Sequence, residues 1–151
     1  MEVLYMNEFV KSLDPSLNYL THEIHEYNII IIVESSRYEV LCPYCGKKSF
    51  RVHSVYQREF QDLPLQDKQV TIILNNKKYF CDNQDCNHRT FAERFDFIMP
   101  KSRKTNRLIE KILRLSTMVS SVSAAQLLKS DMTISKSTIC NLLKKNACFY
   151  G

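Results

Sequence analysis

Four of the six cysteines fall into two short pairs, Cys42-x2-Cys45 and Cys81-x4-Cys86, with 35 residues between the pairs. A short C-x2-4-C turn aims two thiolates at one ion, and two such turns complete the tetrahedral shell that zinc prefers. The spacing therefore predicts one structural Zn(2+) ion held by Cys42, Cys45, Cys81 and Cys86. Four thiolates leave no open position for a reactive water, so the predicted site is a clamp and not a catalytic centre. Gly46 supplies the backbone freedom that a knuckle needs, and Lys47 and Lys48 stand ready to offset the thiolate charge. His53 and His88 lie close enough in sequence that zinc contact by either stays open.

Two other chemistries share parts of this pattern. Cys42-Pro43-Tyr44-Cys45 also resembles the redox motif of glutaredoxins, a thiol oxidoreductase reading that needs a helix starting at the first cysteine. No helical period follows Cys45, and the second pair would have no role. Thr21-His22-Glu23-Ile24-His25 fails the H-E-x-x-H spacing of zinc proteases, because its histidines are three apart, and reads as a solvated patch. Cys140 and Cys148 have no partner at metal spacing, and Cys140 reads as a small buried hydrophobe.

The elements that must present the cysteines are strands. Asn28 to Val33 is a β-branched run, and Arg37 to Leu41 reads as its hairpin return, delivering Cys42 into a turn. An extended stretch over Val52 to Phe60 is closed by Leu63-Pro64. A second hairpin pairs Val70 to Leu74 with Lys78 to Phe80 around Asn75-Asn76 and delivers Cys81. Phe91 and Phe95 are expected to pack the second knuckle. Upstream, Phe9, Val10 and Leu13 at helical spacing suggest a short helix over Met6 to Leu13, stopped at Asp14-Pro15.

Beyond Phe91 the period changes. Pro100 and Lys101-Ser102-Arg103-Lys104 look like a linker, and Leu108, Ile109, Ile112 and Leu113 form an apolar stripe from Asn106 onward. Two shorter helices, Ser123 to Lys129 and Ser135 to Lys145, follow with the layout of a helix-turn-helix. Ala124 and Ala125 allow close approach, Leu128, Ile134, Ile139 and Leu142 or Leu143 fill the angle, and Ser135 caps the second helix. Ser135, Lys136, Ser137, Thr138 and Asn141, with Lys144 and Lys145 further on, are then the candidate DNA-binding residues.

The charge is distributed to match. Residues 1–41 carry two basic and seven acidic groups, residues 42–100 nine and seven, and residues 101–145 ten and two, so the local net charge at the end of the chain is +8 against +5 overall. The longest apolar run, Ile29 to Val33, is too short to span a bilayer, and no basic-then-apolar leader opens the chain. A cytoplasmic protein without membrane contact is expected.

Several ordered motifs together resemble one family. Cys42-Pro43-Tyr44-Cys45-Gly46, His53-Ser54-x-Tyr56-x-Arg58, Asp62-Leu63-Pro64, Tyr79-Phe80-Cys81-Asp82-Asn83, Cys86 and Arg89-Thr90-Phe91-Ala92-Glu93 are similar to the N-terminal zinc finger of the ISL-three group of bacterial insertion-sequence transposases. Ala124-Ala125 and Ser135-x-x-Thr138-Ile139 resemble the helix-turn-helix that follows it there. The resemblance implies binding to double-stranded DNA at the terminal inverted repeats of the element, and a place on the nucleoid. In that family a downstream DDE domain with an RNase-H-like fold performs strand transfer. This sequence stops at Gly151, and residues 101–145 offer only Glu110 and Asp131 as acids, so a non-enzymatic portion without that domain is expected. A free-standing regulator built from the same modules is the alternative; the target sequence and a homodimeric state stay open.

The expected fold is α+β: an N-terminal extension over 1–26, a β-hairpin zinc ribbon with four cysteines over 27–99, and a small all-α helix-turn-helix domain over 100–151.

Overall fold

The structure is a computed structural model that describes residues 1–129 and 134–150. Its body is a sheet of β1 (Leu17–Ile24), β2 (Asn28–Ser35), β6 (Lys68–Phe80) and β5 (Val52–Leu65) in that order, with β7 (Thr90–Ala92) alongside the far end of β6. Helix α1 (Glu2–Leu13) precedes β1 (Leu17–Ile24), and β1 pairs antiparallel with β2 (Asn28–Ser35). Residues 1–26 thus supply a helix and an edge strand of this sheet. Asp14 ends α1 by accepting hydrogen bonds from the Ser16 amide at 2.8 Å and the Ser16 hydroxyl at 2.6 Å, an Asx turn before the chain reverses into β1.

The β-branched run forms a strand because its alternate residues Ile29, Ile31 and Val33 are buried on one face. Their register partners on β6 (Lys68–Phe80), Val70, Ile72 and Leu74, continue the same layer. The pairing is parallel, so β2 does not form the expected hairpin with Arg37–Leu41. Residues Val40–Leu41 instead form β3, which pairs with β4 (Lys48–Ser49) as a separate small ribbon. Val10, Leu17, Phe60, Phe95 and Ile98 complete the main core, with Met6, Phe9 and Leu13 of α1 packed on it. Each large apolar side chain fully buried here contributes about 1.5–3 kcal/mol. This layer therefore dominates stability.

Two turn expectations fail for one reason. Strand β5 (Val52–Leu65) runs through Leu63-Pro64, and β6 runs through Asn75-Asn76. Asn76 is fully buried and its Nδ2 donates to the Tyr56 hydroxyl at 2.9 Å, so it serves as a sheet residue with a cross-strand partner. The real hairpin turn joining β5 and β6 lies at Gln66-Asp67, both with positive φ (52° and 61°). That is the φ pattern of a type I′ turn, which Asn-Gly fills most readily. Replacing Gln66-Asp67 by Asn-Gly is expected to stabilise the fold by about 0.5–1 kcal/mol in chemical denaturation; an unchanged or lower midpoint would show that these side chains hold the turn in another way.

The segment expected as a linker is tied to the sheet. The Gln61 amide donates to the Arg103 carbonyl at 2.8 Å, the Thr105 amide donates to the Gln61 carbonyl at 3.0 Å, and Arg58 donates to the carbonyls of Met99 and Ser102. It is a strap along β5. Beyond it, α2 (Asn106–Met118) starts at Thr105, whose side chain accepts from the Leu108 amide. Helices α3 (Ser121–Leu128) and α4 (Lys136–Tyr150) pack with α2 around buried Leu108, Ile112, Ala124, Leu128 and Ile139. The turn expected between α3 and α4 would fall at residues 130–133, outside the described residues. No described helix is long and apolar enough to cross a membrane.

Candidate metal centre

Each cysteine pair is presented by a strand pair. The β3–β4 ribbon holds the first knuckle, where the Cys42 amide donates to the Lys47 carbonyl at 2.9 Å and the Gly46 amide donates to the Cys42 carbonyl at 2.8 Å. Gly46 sits at φ +77°, with open space where a side chain would go, so backbone conformation alone selects glycine. The second knuckle lies between β6 and β7 (Thr90–Ala92). Its Cys81 amide donates to the Arg89 carbonyl at 2.9 Å and its Cys86 amide to the Asn83 carbonyl at 3.1 Å, while the Asn83 side chain accepts from the Asp85 amide.

The two knuckles are locked together through main-chain carbonyls. Ser49 Oγ donates to the Phe80 carbonyl, and the Phe80 amide donates to the Arg51 carbonyl at 3.0 Å. As a result the sulfurs of Cys42, Cys45, Cys81 and Cys86 all lie within 4.8 Å of one another, and Cys45 and Cys81 approach to 3.5 Å. Four sulfurs on a tetrahedron with zinc–sulfur bonds of about 2.3 Å sit roughly 3.8 Å apart. The cage fits that ion.

Its electrostatics show why a cation belongs there. The Lys47 backbone and then the Asn83 side chain hydrogen-bond the Cys45 sulfur and lower its thiol to about 6. The Asn83 backbone also favours ionised Cys81, but burial and hydrogen bonds from the neighbouring thiols outweigh it and push Cys81 up to about 12. Protons alone thus let Cys45 ionise at the expense of Cys81 and Cys86. A divalent metal makes all four thiolates compatible. Of the two lysines expected to offset this charge, Lys48 is committed to Glu39 at 3.0 Å.

The remaining sequence candidates sort clearly. His88 stacks flat on Tyr44 at 3.5 Å between centroids, and His53 meets Phe80 edge-on with Nδ1 on Ser54, so both histidines are engaged outside the four-sulfur group. Phe91 packs with Val40, Cys42, Tyr79 and Cys81 as expected, whereas Phe95 belongs to the main sheet core. His22 and His25 lie on or just beyond the edge strand β1, far in the chain from the knuckles, with His22 bonded to Tyr19 and His25 to Glu23. After Cys45 the chain enters β4 and no helix, the element a glutaredoxin-type thiol would need.

Residues 39–86 match the zinc-finger of transposase IS204/IS1001/IS1096/IS1165. The zinc ribbon so matched begins beside β3, ends on the fourth ligand and includes β5 and β6 entire, leaving β1, β2 and the helices outside it. One structural zinc ion follows from the match and the four gathered sulfurs. Comparison with curated proteins and with solved structures produced no match.

The DNA-binding candidates all fall at or after the start of α4. Ser135 Oγ accepts from the Thr138 amide at 3.2 Å and the Ser135 carbonyl from the Ile139 amide at 3.1 Å, the expected cap. Lys136, Ser137, Asn141, Lys144 and Lys145 are exposed, and Thr138 is half-buried. Cys140, on the same helix, is half-buried. Sequence reasoning missed Asp62, which appears in the family-like motif without a role. It is buried, accepts from Thr105 Oγ1 at 2.8 Å and holds the Arg107 guanidinium through two hydrogen bonds, joining the sheet to α2. Its Asp-Leu-Pro setting carried no signal of that reach.

Proposed function

We propose that this chain is the DNA-binding portion of a transposase, with the zinc ribbon as scaffold and α4 as the helix that reads the terminal inverted repeats of an insertion sequence. The zinc-ribbon match over residues 39–86 carries the proposal. Helix α4 adds to it: a capped N-terminus with Lys136, Ser137 and Asn141 exposed in its first turns suits a recognition helix entering a major groove, and Lys144 and Lys145 extend the basic surface toward phosphates. The packing of α2, α3 and α4 around Ala124 and Ile139 supports a helix-turn-helix reading. The role is binding. Zinc in a closed shell of four thiolates activates no water, so strand transfer is assigned to carboxylates elsewhere.

The test is a mobility-shift series comparing duplexes that carry the element's inverted repeats with random duplexes. Wild-type protein should prefer the repeats, and Lys136→Ala with Asn141→Ala should reduce that preference by roughly 10-fold to 100-fold, since a good base contact is worth about 1–3 kcal/mol. Equal affinity for both duplexes, unchanged in the double variant, would refute sequence reading by α4.

A further inference from the structure

A groove of about 850 Å³ runs between strand β5, the first zinc knuckle and the strap at residues 99–105. Five cations line it, Arg58, Arg94, Lys101, Arg103 and Lys104, against two carboxylates. One of these, Glu93, is buried and tied to Ser35 and Arg37, which leaves Glu59 as the exposed acid of the lining. Among the described residues none of the five cations makes an ion pair with a carboxylate, whereas Arg37, Lys48, Arg51 and Arg107 all do.

The fold holds these charges in place at a cost. Arg58 is fixed across the groove floor by its bonds to the Met99 and Ser102 carbonyls, at 2.7 and 3.0 Å. The strap turns through Met99-Pro100-Lys101-Ser102, closed by the Ser102 amide on the Met99 carbonyl at 3.0 Å, with Lys101 at φ +64°. A proline followed by a left-handed residue marks a type II turn, whose third position ordinarily takes glycine or asparagine. A lysine there accepts backbone strain and places its charge at the rim. Burial lowers the affinity of Arg58 and Lys104 for their protons, and Arg103 beside Lys104 lowers it further there. Arg94 lies over the ring of Tyr44, which is half exposed at the groove's edge.

Unpaired cations crowded on a strained, strapped frame are a preformed site for a polyanion. We propose that this groove binds the phosphodiester backbone of duplex DNA, as a contact separate from α4 that adds affinity without reading sequence. The proposal rests on the DNA-binding reading above and deepens it. It assigns the ribbon a direct hold on DNA, with Arg94, Lys101 and Arg103 as exposed phosphate contacts and Arg58 and Lys104 as the fixed charges behind them.

The full chain with zinc bound is titrated with a random-sequence 30-base-pair duplex across a range of sodium chloride concentrations, so no knowledge of the target is needed. The triple variant Arg94→Ala, Lys101→Ala, Arg103→Ala should bind at least about tenfold more weakly near 100 mM salt and lower the slope of log K against log salt by roughly 2–3, because each phosphate contact releases about 0.9 of a counterion. Its zinc content and melting temperature should match wild type. The charge-keeping variant Arg94→Lys, Arg103→Lys should retain most of the affinity. An unchanged slope in the triple variant, with Lys136→Ala plus Lys144→Ala still weakening binding, would overturn the groove and leave the α4 reading intact. No binding of any duplex by wild type would overturn both, and displacement by polyglutamate at equal charge would show a generic anion site and overturn the commitment to DNA.

Discussion

Chelation of zinc, or Cys81→Ser, should unfold the ribbon and lower the melting temperature of the whole chain by well over 10 °C. The cluster around the site consists of Val40, Cys42, Tyr79, Cys81 and Phe91, with Cys86 at its margin. So few apolar groups cannot offset the entropy of ordering two knuckles, whereas structural zinc supplies an apparent 10–16 kcal/mol at neutral pH. Zinc release measured with a colorimetric chelator should give one equivalent for wild type and less than half for Cys81→Ser. Because every ligand must be a thiolate, protons compete with the metal, and release should grow as pH falls. A full zinc equivalent in Cys81→Ser, together with a melting curve indifferent to chelator, would refute the four-thiolate site.

Asp62→Ala should cost about 3 kcal/mol and loosen the helices from the sheet. The carboxylate is buried and takes hydrogen bonds from both Thr105, which caps α2, and Arg107, which lies in its first turn. Removing one member of a buried ion pair costs about 3–5 kcal/mol, and the lower figure applies because Arg107 stays one-third exposed and can be rehydrated. Asp62→Asn should be milder, since it retains an acceptor for Thr105. Denaturant unfolding read by circular dichroism gives the free energy, and hydrogen exchange at the Leu108 amide reports on α2. A loss below about 1 kcal/mol in Asp62→Ala would show that apolar packing through Leu63 holds α2 to the sheet instead.

What the sequence revealed follows from how local each signal was. The cysteine pairs, the glycine at the first knuckle and the cap at Ser135 are set within a few residues, and each appears where its spacing placed it. The strand pairings depend on partners far away. Asn75-Asn76 looks like a turn until Tyr56 and the partner strand β5 are beside it, and the parallel pairing of β2 with β6 bridges about 40 residues that offer no local sign. The basic strap failed as a linker for a similar reason. Its polar composition is that of a loose connector, yet its backbone is bonded to Gln61. The groove cations Arg58 and Arg94 lie in the ribbon segment, where the balance of charges is nearly even, so only their gathering in space separates them from an ordinary surface.

Strand β6 enters the sheet core at Val70, Ile72 and Leu74 and leaves it with Tyr79 in the zinc cluster, next to Cys81 just past the strand's end. The same thirteen residues thus serve two cores in series. The family match spans residues 39–86, yet a fragment cut at those points would bare the edge of β6 that pairs with β2 and take Ile29, Ile31 and Val33 from the layer they share with Val70, Ile72 and Leu74. The unit recognised by likeness is smaller than the unit that folds. The zinc ribbon is therefore stabilised as part of a larger body, and changes on β2 reach the metal through β6, the strand paired with it.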